Sequence, residues 1–422
     1  MRRLILSLFA SIAAFGPVHA DTLRDAMVSA QETNPTLAAQ RQRLRATREA
    51  LPQALSAALP QVSVSAAANA GDRDFVDPAA IDAGREETWT ASANVSQLLF
   101  GSGRVLASTR AARAQIAGGL ADYEGARQSL LLDVTRAYAD VRQVQAVVAA
   151  RETTVSNLRR LLEYAEAQFE AGVVSRTDVA QARARYAQAR TQRVQAQGAM
   201  AAAVEAYRRL VGYPPPALEA PPPASGLPAG LDVALATAVD NSPSLFSAHA
   251  DTRLADANVD VAAAQGRLNI TAEAGYAFGA DFNDELSESS NDALAVRFSV
   301  PLFQGGAIRS RTRQQRALRA AANLDLAATQ RALQESVTNA WTSLASARAA
   351  LSSSREQVAA AELAYEGVRE EQEAGLRSTV EVLDQEADLL IARIALAQAE
   401  RDLVVAERQL LAAIGTLEIP QS

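Results

Sequence analysis

One short stretch occurs twice in this chain, and that duplication constrains the fold more than any other feature. The first copy is Ala171-Gly172-Val173-Val174-Ser175-Arg176-Thr177-Asp178-Val179. The second is Ala374-Gly375-Leu376-Arg377-Ser378-Thr379-Val380-Glu381-Val382. In each, a Gly suited to the left-handed conformation ends one helical pattern. A Ser three residues later opens another, and an acid three residues beyond it, Asp178 or Glu381, fits a capping box. Each stretch therefore reads as the tip of a helical hairpin. The two glycines are 203 residues apart (375 − 172), the spacing that also separates Phe100 from Phe303 and Gly212 from Gly415. The halves are copies of one unit.

The rest of that unit follows in order. Leu23 to about Leu55 is helical in pattern, interrupted at Asn34-Pro35-Thr36-Leu37, because a proline cannot continue the hydrogen-bond ladder. Leu231 to about Gln265 repeats it, with Asn241-Ser242-Pro243-Ser244-Leu245 at the matching place. Two extended stretches come next in each half: Gln61 to Ala66 with Trp89 to Leu99, then about Leu268 to Phe278 with Leu294 to Leu302. Polar loops join them, around 71–87 and 281–292. Alternation of this kind fits strands of an outer-membrane barrel; a soluble hairpin is the alternative.

Each strand pair ends in an aromatic-glycine corner, Leu98-Leu99-Phe100-Gly101-Ser102-Gly103 and Pro301-Leu302-Phe303-Gln304-Gly305-Gly306. Long helices are expected from about Arg104 to Glu170 and from about Ala307 to Glu373. Leu131, Val134, Tyr138, Val141, Gln145 and Val148 recur at steps of three and four, a coiled-coil seam with one polar insert. A helix of about 65 residues is roughly 100 Å long and must pack lengthwise in a bundle. Ala-rich helices return from each tip, about Thr177 to Leu210 and Thr379 to Ala413.

The expected division is a signal peptide at 1–20, a first repeat at 21–212, a Pro-rich linker at 213–230, a second repeat at 231–415 and a short tail at 416–422. The leader has Arg2 and Arg3, an apolar run from Leu4 to Ala14, and Val18-His19-Ala20 as cleavage site. That run is too short to span a bilayer. The chain has no Cys, which excludes disulfides and a lipid-anchoring thiol. With 41 basic residues against 48 acidic and a formal charge of −7, it is a poor nucleic-acid binder. Outside the leader the one histidine is His249, which reads as a surface or packing residue, and no phosphate-cradling loop follows a strand. The chain is therefore expected to be no enzyme, with no catalytic, cofactor-binding or metal residues.

A few strands cannot close a barrel, and in lipid their open edges would leave backbone groups unpaired. The long helices likewise lack partners within one chain. An oligomer is required, and the physics points to a membrane-anchored helical tube.

The order of kink, strand pair, Leu-Phe-x-Gly corner, long helix, tip and return helix, all occurring twice, resembles the TolC family of outer-membrane efflux and secretion channels. The resemblance covers Asp21 to Gly415. The run Glu32-Thr33-Asn34-Pro35-Thr36-Leu37 through Leu51-Pro52-Gln53-Ala54-Leu55 is most similar to the branch serving type I secretion. The fold class implied is mainly α with a transmembrane β portion, in a homotrimer whose β-barrel sits in outer-membrane lipid. A long periplasmic α-helical barrel would continue it, docked through a periplasmic adaptor (membrane fusion) protein to an inner-membrane transporter. The cargo stays open. The rival reading is a non-channel periplasmic coiled-coil scaffold or adhesin stalk.

The resemblance also implies roles for residues. Glu381 and Asp384 would ring the pore constriction, their i, i+3 spacing placing both on one helix face. By spacing alone, Glu381 is a capping acid and Asp384 a solvated first-turn acid. Arg377 would lock the gate against Thr177 and Asp178 of the other hairpin. Gln372 stands where the family's model channel has Tyr, which puts one lock contact in doubt. The tips, Gly172, Val173, Val174 and Ser175 with Gly375, Leu376 and Ser378, would meet the adaptor; packing between neighbouring tips is the alternative.

Overall fold

The computed structural model describes residues 22–72, 85–282 and 288–420; the expected leader lies outside them. The order of elements is α1 (Leu23–Thr33), α2 (Pro35–Arg48), α3 (Ala50–Ser56), β1 (Gln61–Asp72), β2 (Arg85–Phe100), α4 (Arg104–Glu170) and α5 (Arg176–Val211) in the first half. The second half has α6 (Leu231–Asn241), α7 (Pro243–Ala264), β3 (Asn269–Asp281), β4 (Ser289–Ser299), α8 (Ala307–Glu373) and α9 (Thr379–Ala413). The chain forms two compact units. Among the described residues, one takes 22–39, 125–242 and 333–420, and the other 40–72, 85–124, 243–282 and 288–332.

The second unit holds the sheet, antiparallel throughout in the order β1-β2-β3-β4. Directly opposed residues share a face, so the register sorts the side chains. Val62, Val64, Ala66 and Ala68 oppose Val95, Ala93, Ala91 and Trp89. Those four oppose Ala274, Tyr276, Phe278 and Ala280, and Ala272 and Ala274 oppose Val296 and Leu294. The other face carries Ser63, Ser65 and Asn69 against Asn94, Ser92 and Thr88, then Thr271 against Arg297. On it Arg297 donates to both carboxylate oxygens of Glu273 at 3.2 and 3.1 Å. Over these positions one face is apolar from strand to strand, with Asp292 and Ser290 opposite Tyr276 and Phe278 towards one end, and the other face mixes polar residues with small ones. The apolar face is bare in the single chain: Val64 is 78% exposed and Leu294 84%.

The strands differ from their sequence limits. β1 runs on to Asp72, paired with Arg85, where a loop is expected. The backbone ladder sets the length, and it passes through Ala, Asn and Gly that carry no alternation. β4 stops at Ser299, short of Leu302, because Pro301 has no N–H to give the ladder.

The other unit is helical. α1 opens on a capping box between Thr22 and Asp25 and ends at Asn34, where Pro35 starts α2. Asn34 is buried and fixes this break. Its Oδ1 accepts from the Thr36 N–H at 2.9 Å, and its Nδ2 donates to the Leu210 carbonyl at 3.1 Å. The break repeats at Ser242, before Pro243. Leu131, Val134, Tyr138 and Val141 are fully buried, whereas Gln145 and Val148 are only half-buried. The seam is therefore a core for about its first three turns and a shallower contact beyond. The Pro-rich segment 213–230 is pinned from both halves. The Tyr138 hydroxyl donates to the Glu219 carbonyl at 2.7 Å, and Arg408 donates to the Pro222 carbonyl at 2.7 Å.

Candidate functional site

The two hairpin tips are built alike. Gly172 and Gly375 have φ of +76° and +78°, which reverses the chain at each helix end. Ser175 Oγ accepts from the Asp178 N–H at 3.3 Å while Asp178 accepts from the Ser175 N–H at 2.9 Å. Ser378 and Glu381 repeat the exchange at 3.4 and 2.9 Å. At the tips Val173 is 69% and Leu376 77% exposed, while Val174 is half-buried.

Past the second tip lie the acids. Arg377 donates to Glu371 at 2.8 Å and to Glu381 at 3.0 Å. The Ser378 backbone N–H, then Arg377 and the Ser378 hydroxyl, hold Glu381 below the usual carboxylate range. Bonds from Glu371 first and Glu381 second raise the Arg377 pKa. Asp384 is exposed on the next turn and accepts from Arg185 of α5 at 3.2 Å. Such a half-exposed pair is worth about 1 kcal/mol or less.

The structure therefore brings Arg377 to Glu381, on its own hairpin. It does not bring Arg377 to Thr177, which is exposed, or to Asp178, which is engaged in its cap. Gln372 is buried and donates to Thr379 Oγ1 at 3.4 Å, again within one hairpin. Contacts that do link the hairpins include Arg185 to Asp384, Arg401 of α9 to Asp140 of α4 at 2.7 Å, and a buried group that sequence reasoning missed. Glu386 is 1% exposed and accepts from Asn157 Nδ2 of α4 at 2.8 Å. Asn157 Oδ1 in turn accepts from Arg160 at 2.7 Å. The Tyr365 hydroxyl of α8 also bonds Glu386; burial first, and the Glu386 charge next, push it up to about 12. One signal was available. Val382 and Leu383 stand four and three residues before Glu386, and Leu389 three after it, all four buried, so an acid occupies an inward position of an apolar stripe.

The lowered pKa of Glu381 has a pH consequence with a definite sign. A carboxylate favoured in its charged form stabilises the fold above its ordinary range, and the effect is lost as pH falls through the lowered folded value. The protection factors of the Ser378 and Glu381 amides, meaning exchange corrected for the intrinsic pH dependence of an unfolded peptide, are therefore expected to fall as pH drops below the ordinary glutamate range of about 4, and Glu381→Gln to remove that fall. Protection factors that stay level in acid in the unaltered chain would refute the cap's electrostatic role.

The arrangement offers carboxylates and guanidiniums along the helices. Among the described residues no group of three or more His, Cys, Asp or Glu could hold a metal ion. Among them, no helix is long and apolar enough to cross a membrane. His249 is exposed on α7.

The profile of the "Outer membrane efflux protein" family matches residues 26–213 and 234–416. The outer membrane efflux protein BepC of Brucella suis is 29% identical over 405 residues, 95% of this chain and 87% of that protein. The outer membrane protein TolC of Vibrio cholerae is 28% identical over 428 residues, 98% of this chain and 95% of that protein. The fold matches the crystal structure of the Campylobacter jejuni CmeC outer membrane channel with a TM-score of 0.82 at 16% identity, covering 95% of this chain and 87% of that one.

Proposed function

The chain belongs to the outer membrane efflux protein family, the efflux and secretion channels of the Gram-negative outer membrane, and from that membership we propose that it is the exit duct of a tripartite efflux pump or type I secretion system. The observation that carries this reading is the two-faced sheet. Its apolar face suits lipid, its polar face suits a water-filled lumen, and its outer strands β1 and β4 each leave an edge to be paired. Three copies would close the barrel and bring the helical hairpins together as a periplasmic duct. A periplasmic adaptor would dock at the tips, where Val173 and Leu376 are exposed, and an inner-membrane transporter would feed the duct. The protein itself would do no chemistry.

Within that reading the division at 21–212, 213–230 and 231–415 follows the duplicated architecture. Glu381 and Asp384 would face the narrowest part of the pore. Arg377 would act as a gate residue, in league with Thr177 and Asp178 only across a subunit boundary, since within the chain it serves Glu371 and Glu381.

Purified protein in a planar bilayer under a salt gradient tests the reading. Small cation-selective steps from a detergent-stable, heat-sensitive trimer are expected. Changing Glu381 and Asp384 together to Ala should bring the selectivity down several-fold, since rings of carboxylates are what favour cations in such pores. Protein that washes off membranes in carbonate as a soluble species, with no trimer, would favour the scaffold or stalk instead.

A further inference from the structure

The position of Arg185 has a consequence for what the duct admits. Ala182 and Ala189 of α5 are buried, and Arg185 lies between them at the third step, on the same helix face. A position in a seam of small residues thus carries a long cation. It lines a groove with Leu383, Glu386 and Ala387 of α9 and reaches Asp384 at 3.2 Å. The other acid of the constriction is treated differently, because Arg377 divides itself between Glu371 and Glu381. Glu386, in the same groove, is already occupied by Asn157 and Tyr365. Among the described residues the pairing of Arg185 with Asp384 is one to one.

We propose that Arg185 sets the ion selectivity of the duct by cancelling the charge of Asp384, so that the constriction is far less negative than its carboxylates alone would make it. The inference rests on the reading that Asp384 faces the pore. The physics is a matter of distance. Screening in physiological salt acts over about 8 Å. A guanidinium 3.2 Å from a carboxylate is well inside that length, so an ion approaching along the axis meets a dipole in place of a charge. The pair need not be strong for this to hold. The cation only has to stay tethered near the acid, and the buried alanines on either side fix its backbone there.

The test uses the full-length channel in planar bilayers, with reversal potentials in a potassium chloride gradient and block by lanthanum(III) as readouts. Arg185→Gln is expected to raise the cation preference and to tighten lanthanum block by about tenfold, in line with the gain from focusing charge in a narrow cleft. Arg185→Lys should behave as the unaltered channel. Asp384→Asn, which leaves the guanidinium without its acid, should lower the cation preference, and the double variant Arg185→Gln with Asp384→Asn, which removes both charges, should return close to the unaltered channel. An Arg185→Gln channel with unchanged selectivity beside an Asp384→Asn channel with lowered selectivity would overturn the proposal and leave the pore assignment standing. Unchanged behaviour in all the variants would overturn the pore assignment and the proposal with it.

Discussion

Replacing Gly415 with Ala is expected to destabilise the helical unit by about 3–5 kcal/mol, the combined scale of a left-handed non-glycine residue and an overpacked contact. Gly415 has φ +79°, and a Cβ there would collide with the Asn241 carbonyl oxygen and meet its carbon at 2.5 Å. The atoms are Asn241 backbone, at the end of α6, so neither can turn aside. The Gly415 carbonyl is also held by Gln128 of α4 at 2.7 Å. The residue is therefore the point where the end of α9 is pressed against the end of α6. Its counterparts supply the control. Gly375 has nearly the same φ and nothing within 4 Å of the added atom, so Gly375→Ala should cost only about 1 kcal/mol. Gly212, the first-repeat equivalent of Gly415, has φ +99° and would meet only the Thr33 hydroxyl at 3.3 Å, a side chain that can rotate. It should fall between. Thermal unfolding of the detergent-solubilised protein ranks the three. Equal losses at Gly415 and Gly375 would show that backbone conformation alone decides and that the close approach is relieved.

The duplicated tip was legible because everything that makes it is local. A positive-φ Gly, a capping Ser and an acid three residues on interact within one turn, and the structure returns those bonds in both copies. Asn34-Pro35 was legible for the same reason. The strands were harder. Their alternation is written largely in Ala, Ser and Thr, which carry little difference between faces. Only the register across strands, with Val64 opposite Ala93 opposite Tyr276, makes the apolar face continuous.

The contacts between hairpins were not legible at all. Arg185 and Asp384 are 199 residues apart, and Asn157 and Glu386 are 229 apart. A repeat says which residues occupy equivalent places, but not which side chains of one copy meet those of the other. Gln372 shows the difference. The sequence singled it out as a departure, and only the packing shows that it turns inward to Thr379.

Arg408→Met is expected to be the other costly change, at about 3–5 kcal/mol, because it strips the cation from a buried ion pair. Arg408 is 2% exposed and Glu407 7%. Their side chains meet at 3.3 Å. Arg408 also donates to the Pro222 carbonyl, while Glu407 accepts from the Ala224 N–H at 3.0 Å. Burial lowers the Arg408 pKa and the Glu407 charge pushes it back up, the balance expected of a charge tolerated inside only because its partner is there. Without Arg408, Glu407 keeps one neutral donor and no cation, and the Pro222 carbonyl loses its bond. The segment 213–230 should then become susceptible to proteolysis before the helices unfold. Arg401 is the contrast. It pairs with Asp140 and Asp402 but is 29% exposed, so water can take over, and Arg401→Met should cost about 1 kcal/mol or less. The double change of Glu407→Leu with Arg408→Met removes both charges and should recover part of the loss, since a buried pair replaced by apolar side chains is often close to neutral. If the double variant were as unstable as Arg408→Met, the penalty would lie in the lost hold on Pro222 and Ala224. The ion pair would then be valued for the backbone it clamps, more than for its charges.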